Sequence, residues 1–343
     1  MSGQQASQME STPRSVGVVV AEPSPIRRAV IRIVGTYGLV GVLVLLVVCF
    51  SVLRPTTFLS TFNVGELLSQ KSVAALVALA VMCPMIANQF DLSAGYMLGL
   101  GSVLAVGLQL DAGVPWYLAV PLVLIVGAVV GLVNGLLVTR AHIDAFIVTL
   151  GTGTLLLGVM ELYTGGEQIV GSVPSGFMEI GLGSVFGIPL PALYVVAVSL
   201  VLFVVFEYTP TGRFIYVLGA NMRAAELLGI RSRRMIVACF VVSGVLSALA
   251  GVVLGAQLGI GNSSIGPEYL LPAFAASFLG ATAIRPGHVN VLGTIVAVLL
   301  LSVAVDGLQQ LGQPFWVEPF FDGGMLIIAV GCAAYFSRRQ RET

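Results

Sequence analysis

Runs of apolar residues too long for a soluble core set the terms for this chain. Ile33 to Leu53 is the first. A helix needs about 20 mostly apolar residues to cross a bilayer. Similar runs recur at 114–138, 145–163, 186–206, 235–258 and 321–337. Weaker runs, rich in glycine or flanked by polar residues, lie at 64–83, 92–110, 268–284 and 289–308. The expectation is an all-α polytopic membrane protein of about ten spans, some of the weaker four entering the membrane without crossing it. Composition agrees: 9% of residues are charged and 57% hydrophobic, whereas soluble domains carry roughly 25% charge. Lipid is therefore the main solvent and partner. A net charge of zero gives nucleic acid no purchase.

Cys49, Cys83, Cys239 and Cys332 sit in separate apolar runs and read as small buried hydrophobes. Neither they nor the isolated His142 and His288 have metal-ligand spacing. Residues 1–32, rich in Ser, Gln and Pro, read as a disordered cytoplasmic tail, 33–337 as the membrane domain and 338–343 as a second cytoplasmic tail. The run after the first tail is too long for a signal-peptide core, and no small-residue cleavage site follows it.

Arginine placement tests the span count, because cytoplasmic loops collect Lys and Arg. With ten spans and the first tail inside, 14 of the 16 basic residues fall on the cytoplasmic side. The exceptions are Arg54 and Lys71, both assigned to the first outside loop. Glycines four apart (Gly95 and Gly99; Gly127, Gly131 and Gly135; Gly255 and Gly259) let helix backbones approach closely. They suit packing within one bundle or a seam between subunits.

One charged segment breaks the pattern. TPTGRFIYVLGANMRAAELLGIRSRR, Thr209 to Arg234, holds five of the basic residues. Asn221 is a good helix N-cap, Ala224 to Leu228 are good helix formers, and Gly229 can end the helix in the left-handed conformation. Two turns are unstable alone, so the stripe of Met222, Ala225 and Leu228 must pack on something. That partner is either the ends of this chain's own helices or a groove on another protein.

The same residues closely resemble the cytoplasmic loop of permease subunits of monosaccharide ABC importers, the ribose/xylose/arabinose type. The family's Thr-x-x-Gly-Arg, Tyr, Gly-x-Asn, Ala-Ala and Gly-Ile are matched by Thr209, Gly212, Arg213, Tyr216, Gly219, Asn221, Ala224, Ala225, Gly229 and Ile230. FDLSAG at Phe90–Gly95 and GLVNGLLVTRAHIDAFIVTLGT at Gly131–Thr152 resemble further family blocks. At Leu279–Thr294 the chain departs, with Ala281 for a glycine and Arg285-Pro286-Gly287 for a glycine cluster. The resemblance spans roughly 35–335 and implies a type II ABC-importer-like permease. It assigns the loop 207–234, with Arg213, Asn221, Ala224, Ala225, Leu228 and Gly229, to docking a cytoplasmic ABC ATPase. It also implies an extracytoplasmic sugar-binding protein and a second permease subunit, identical or different.

An ATP-driven machine needs a Gly-rich loop ending in Lys and Ser/Thr. The only lysine is Lys71, in LLSQKSVAA, with no glycine framework before it. ATP and Mg are thus expected on a separate subunit, and no cofactor on this chain. The rival is an ion-gradient transporter, which keeps ionisable residues inside the membrane. Asp91, Glu161 and Asp306 are its candidates; the first is explained by N-capping at the start of a span, and the others lie near predicted outside ends. Related permeases for branched-chain amino acids or nucleosides are a nearer alternative.

The stretch CPMIANQFDLS, Cys83 to Ser93, is polar and contains Pro84. Irregular polar backbone at membrane depth needs protein or a water-filled cavity around it. Asn88, Gln89, Asp91 and Ser93 are therefore candidates for the translocation path, against the alternative of a plain cytoplasmic turn. Asn134, mid-span, either faces the path or bonds across helices. The loop Tyr163–Val185, with Glu167 and Glu179 and with Glu161 at its edge, offers an acidic outer rim to a binding protein or is simply solvated.

Overall fold

A computed structural model describes residues 25–314, 316–321, 323–328 and 331. Its helices are α1 (Pro25–Leu53), α2 (Thr61–Ile86), α3 (Ser93–Leu110), α4 (Trp116–Arg140), α5 (Ala145–Thr164), α6 (Ser175–Leu182), α7 (Leu190–Phe203), α8 (Pro210–Ala220), α9 (Met222–Leu227), α10 (Ser232–Leu258), α11 (Leu270–Gly280) and α12 (Val291–Gln310). α7 runs on as a π-helical turn, Val204–Tyr208, and a 3-10 turn, Gly266–Tyr269, leads into α11. Four two-residue strands complete the fold: β1 (Ile169–Val170), β2 (Ser184–Val185), β3 (Ile188–Pro189) and β4 (Ile260–Gly261).

Among the described residues, eight helices are long and apolar enough to cross a membrane: α1 to α5, α7 with its π turn, α10 and α12. Three of the four weaker runs are full helices. The fourth, 268–284, is not. Only the 11 residues of α11 are α-helical there, a rise of about 16 Å against a hydrocarbon core of about 30 Å. The run at 321–337 lies mostly outside the described residues. The first helix begins at Pro25 rather than Ile33. Lys71, expected in a loop, lies inside α2.

α10 is the hub and packs on α4, α3 and α2. The glycine stripe of α4 explains how: a methyl group at Gly127, Gly131 or Gly135 would meet the α10 backbone at Gly244, Phe240 or Val237. That stripe is a seam within the chain. Gly259 does a different job, ending α10 at φ 67°. By contrast α1 leaves most of its apolar side chains between Thr36 and Leu53 exposed, as a helix facing lipid does.

The helix ends sort to two sides. Ile86, Ala145, Leu218, Ala225 and Ile236 share one buried cluster and mark the arginine-bearing end. The opposite end is capped by α6, anchored by the fully buried Phe177. There β1 pairs antiparallel with β4, and β2 with β3. The β2–β3 turn, Phe186-Gly187, has positive φ at both residues, as a two-residue type I′ hairpin requires.

Candidate functional site

α8 and α9 form a two-helix element at the arginine-bearing end. Thr209 caps α8 by accepting from the Gly212 amide at 3.3 Å, and Pro210 fills the first helical position, where no amide donor is needed. Asn221 caps α9, its Oδ1 accepting from the Ala224 amide at 3.0 Å. Gly229 has φ 76°, and the Ile230 amide returns to the Ala225 carbonyl at 3.1 Å. Asn221 and Gly229 thus cap and end α9 as the sequence implied.

The inward face of α8 is Gly212, Ile215 and Leu218. Gly219 lies against the carbonyl of Ile86, where any side chain would collide with the last turn of α2. The Tyr216 hydroxyl donates to the Val289 carbonyl at 3.0 Å. Burial, and then the nearby Glu207, push that phenol up to about 12, so it stays a donor. Arg285 pairs with Glu207 of the π turn. The residue that departs from the resembled glycine cluster therefore ties the 281–290 loop to the approach to α8. Asn290 ties the same loop to its flanking helices: its amide donates to Gly280 O of α11, and its Oδ1 caps α12 at the Gly293 amide.

Of the proposed stripe, Ala225 is fully buried against this chain's own helix ends, whereas Met222 is exposed and Leu228 73% exposed; Leu227 beside it is 89% exposed. Arg213 is exposed, Ala224 half-buried, and Asn221 and Gly229 are exposed. The short helix thus packs on this chain through Ala225 and leaves Leu227 and Leu228 exposed.

The candidate path residues do not form one site. α2 ends in a turn where the Asn88 amide donates to Met85 O and the Gln89 amide to Pro84 O, with Asn88 at φ 56°. That is a Schellman motif, with Asn88 in the position that tolerates a left-handed backbone. Asn88 is exposed and Gln89 half-buried, at the arginine-bearing end. Asp91, Ser93 and Asn134 are buried together. Ser93 Oγ donates to Asp91 Oδ1 at 2.6 Å, Asn134 Nδ2 to Ser93 Oγ at 2.9 Å, and Thr152 Oγ1 to Asn134 Oδ1 at 2.7 Å. Thr149 Oγ1 accepts from the Leu92 amide at 3.0 Å. This network joins α3, α4 and α5, the cross-helix role for Asn134. Glu161, Glu167 and Glu179 are exposed at the opposite end. No cluster of three or more His, Cys, Asp or Glu suited to a metal occurs among the described residues.

Residues 63–330 match the family described as branched-chain amino acid transport system / permease component. The chain is 37% identical to the ribose import permease protein RbsC of Bacillus subtilis, covering 84% of this chain and 89% of that protein. It is 32% identical to the protein of the same name in Haemophilus influenzae, covering 87% and 93%. It is also 32% identical to the autoinducer 2 import system permease protein LsrD of Yersinia enterocolitica, covering 74% and 78%. No solved structure matches the chain.

Proposed function

Because this chain belongs to the branched-chain amino acid transport system / permease component family, we propose that it is the membrane-spanning permease subunit of an ATP-binding-cassette importer for a small carbohydrate. The relatives named for ribose and autoinducer 2 support that class of solute. The arginine-bearing end is cytoplasmic, since basic residues stay inside. ATP is hydrolysed by a separate subunit, because the single lysine has no phosphate-binding loop around it.

The two-faced α8–α9 element carries this reading. Its inner face is locked onto α2 and the 281–290 loop, and its outer face leaves Leu227 and Leu228 bare in water. A short helix with apolar anchors fits a groove on a partner, here the ATPase. ATP-driven closure of that partner pushes α8, and α8 moves the helix ends beneath it. The opposite end, with α6 and the β2–β3 hairpin, receives a solute-binding protein. A second permease subunit, identical or different, completes the membrane unit.

The test is uptake into vesicles holding this chain with its ATPase and binding protein. ATP-dependent uptake of ribose, unaffected by collapsing ion gradients, is expected. Uptake of leucine instead of ribose would reassign the solute, and gradient-driven flux through the chain alone would overturn the mechanism.

A further inference from the structure

Away from the arginine-bearing end, α2, α11 and α12 part around a cavity of about 550 Å³, bounded on its remaining side by Glu318 and Pro319. That is within the roughly 300–1,000 Å³ of small-molecule sites. One part of its wall is apolar: Ala276, Val298, Leu301 and Val305. The rest is polar. Lys71 Nζ lies 3.0 Å from Glu318 Oε1, and the other Glu318 oxygen accepts from Gln309 at 3.1 Å. Gln70, its amide nitrogen held by Glu66, offers an amide oxygen. Tyr269 and Ser302 bring hydroxyls.

Lys71 stands ten residues into α2, about 15 Å along the helix. Ionisable residues at membrane depth are rare and face protein or a water-filled space that serves function. None of Asn88, Gln89, Asp91, Ser93 and Asn134 lines this space.

We propose that this cavity is the chamber in which the solute rests during passage, and that it takes an uncharged, polyhydroxylated molecule of monosaccharide size. The assignment rests on the carbohydrate reading above. The ammonium of Lys71 is already matched by Glu318, so among the described residues lining the cavity no free cation waits for a phosphate or carboxylate. Glu268 adds a second carboxyl, raised above its ordinary value by burial and then by Glu318. The Tyr269 phenol, pushed to about 12 mainly by burial, remains a hydrogen donor. Donors and acceptors on one side and an apolar wall on the other match the hydroxyl edge and C–H face of a sugar ring. The three helices around the chamber are also those α8 reaches, α2 directly and α11–α12 through their joining loop.

The test uses the assembled importer with Cys49, Cys83, Cys239 and Cys332 replaced by alanine. Ala74→Cys and Ser302→Cys each place a thiol in the chamber wall. Both are expected to react with a membrane-impermeant thiol reagent added outside, and saturating ribose slows that reaction. Ser302→Leu and Gln70→Leu are expected to cut ribose uptake by roughly tenfold while the ATPase still co-purifies. Unreactive thiols, or unchanged uptake in both leucine variants, would overturn the chamber. If the unsubstituted importer takes up no ribose, the carbohydrate reading fails, and the thiol reactions alone decide whether the cavity is on the path.

Discussion

Around α8 and α9, Arg213, Arg223, Arg231, Arg233 and Arg234 all stand exposed, while across the bundle Lys71 and Glu318 face each other in a partly sheltered cavity. The first region leaves charge on the surface, where water stabilises it. The second sets the Lys71 ammonium against the Glu318 carboxylate, because a sheltered charge needs a partner. The first is built from neighbours in sequence. The second gathers residues from α2, the turn before α11, α12 and residues 318–319. On the proposed roles, a docking element has to be presented and a passage sheltered.

The comparison breaks most visibly at Ala225. Ala225→Arg puts a cation into a fully buried site and should cost several kcal/mol, roughly 3–5, as an unpaired buried charge does. Thermal melting in detergent and uptake should fall together. A variant that melts normally but no longer couples would place Ala225 on the outer face instead. Next in size is the double change Leu227→Glu and Leu228→Glu. Melting should move by no more than about 0.5 kcal/mol, as for exposed positions, while ATP-driven uptake drops roughly tenfold or more through a lost docking anchor. Unchanged uptake would leave the outer face without a role.

Asn221→Ala sharpens the contrast at smaller scale. Loss of the cap should cost about 1 kcal/mol, seen as faster hydrogen exchange at the Ala224 amide, with Asn221→Ser restoring protection. Smallest is Arg285→Gln. Its ion pair with Glu207 is half-exposed on the arginine side, so stability should change by less than about 1 kcal/mol. Uptake should slow only modestly, and a collapse of uptake would make the 281–290 tie the main transmission route.

Legibility follows the same division. Asn221 and Gly229 were readable because caps act within three or four residues of themselves. The direction Ala225 faces was not, since it depends on where the end of α2 arrives. Asn88 looked like a path residue because an asparagine that serves the left-handed turn and one that binds solute are the same letter. Lys71 was misplaced in a loop because a lone lysine lowers local hydropathy, and its partner Glu318 lies 247 positions away. α11 was read as a full run because hydropathy counts residues, while Pro267, Pro272 and the turn beyond Gly280 decide how many are helical.

The shortness of α11 sets the thickness of the septum. From Ala276 on the chamber wall to the last residue, Gly280, is four residues, about 6 Å of rise. A single helical turn and the loop behind it are then what lies between this wall residue and the arginine-bearing end. Shifting that stub by its own length would breach the septum, with the long helices of the bundle left standing.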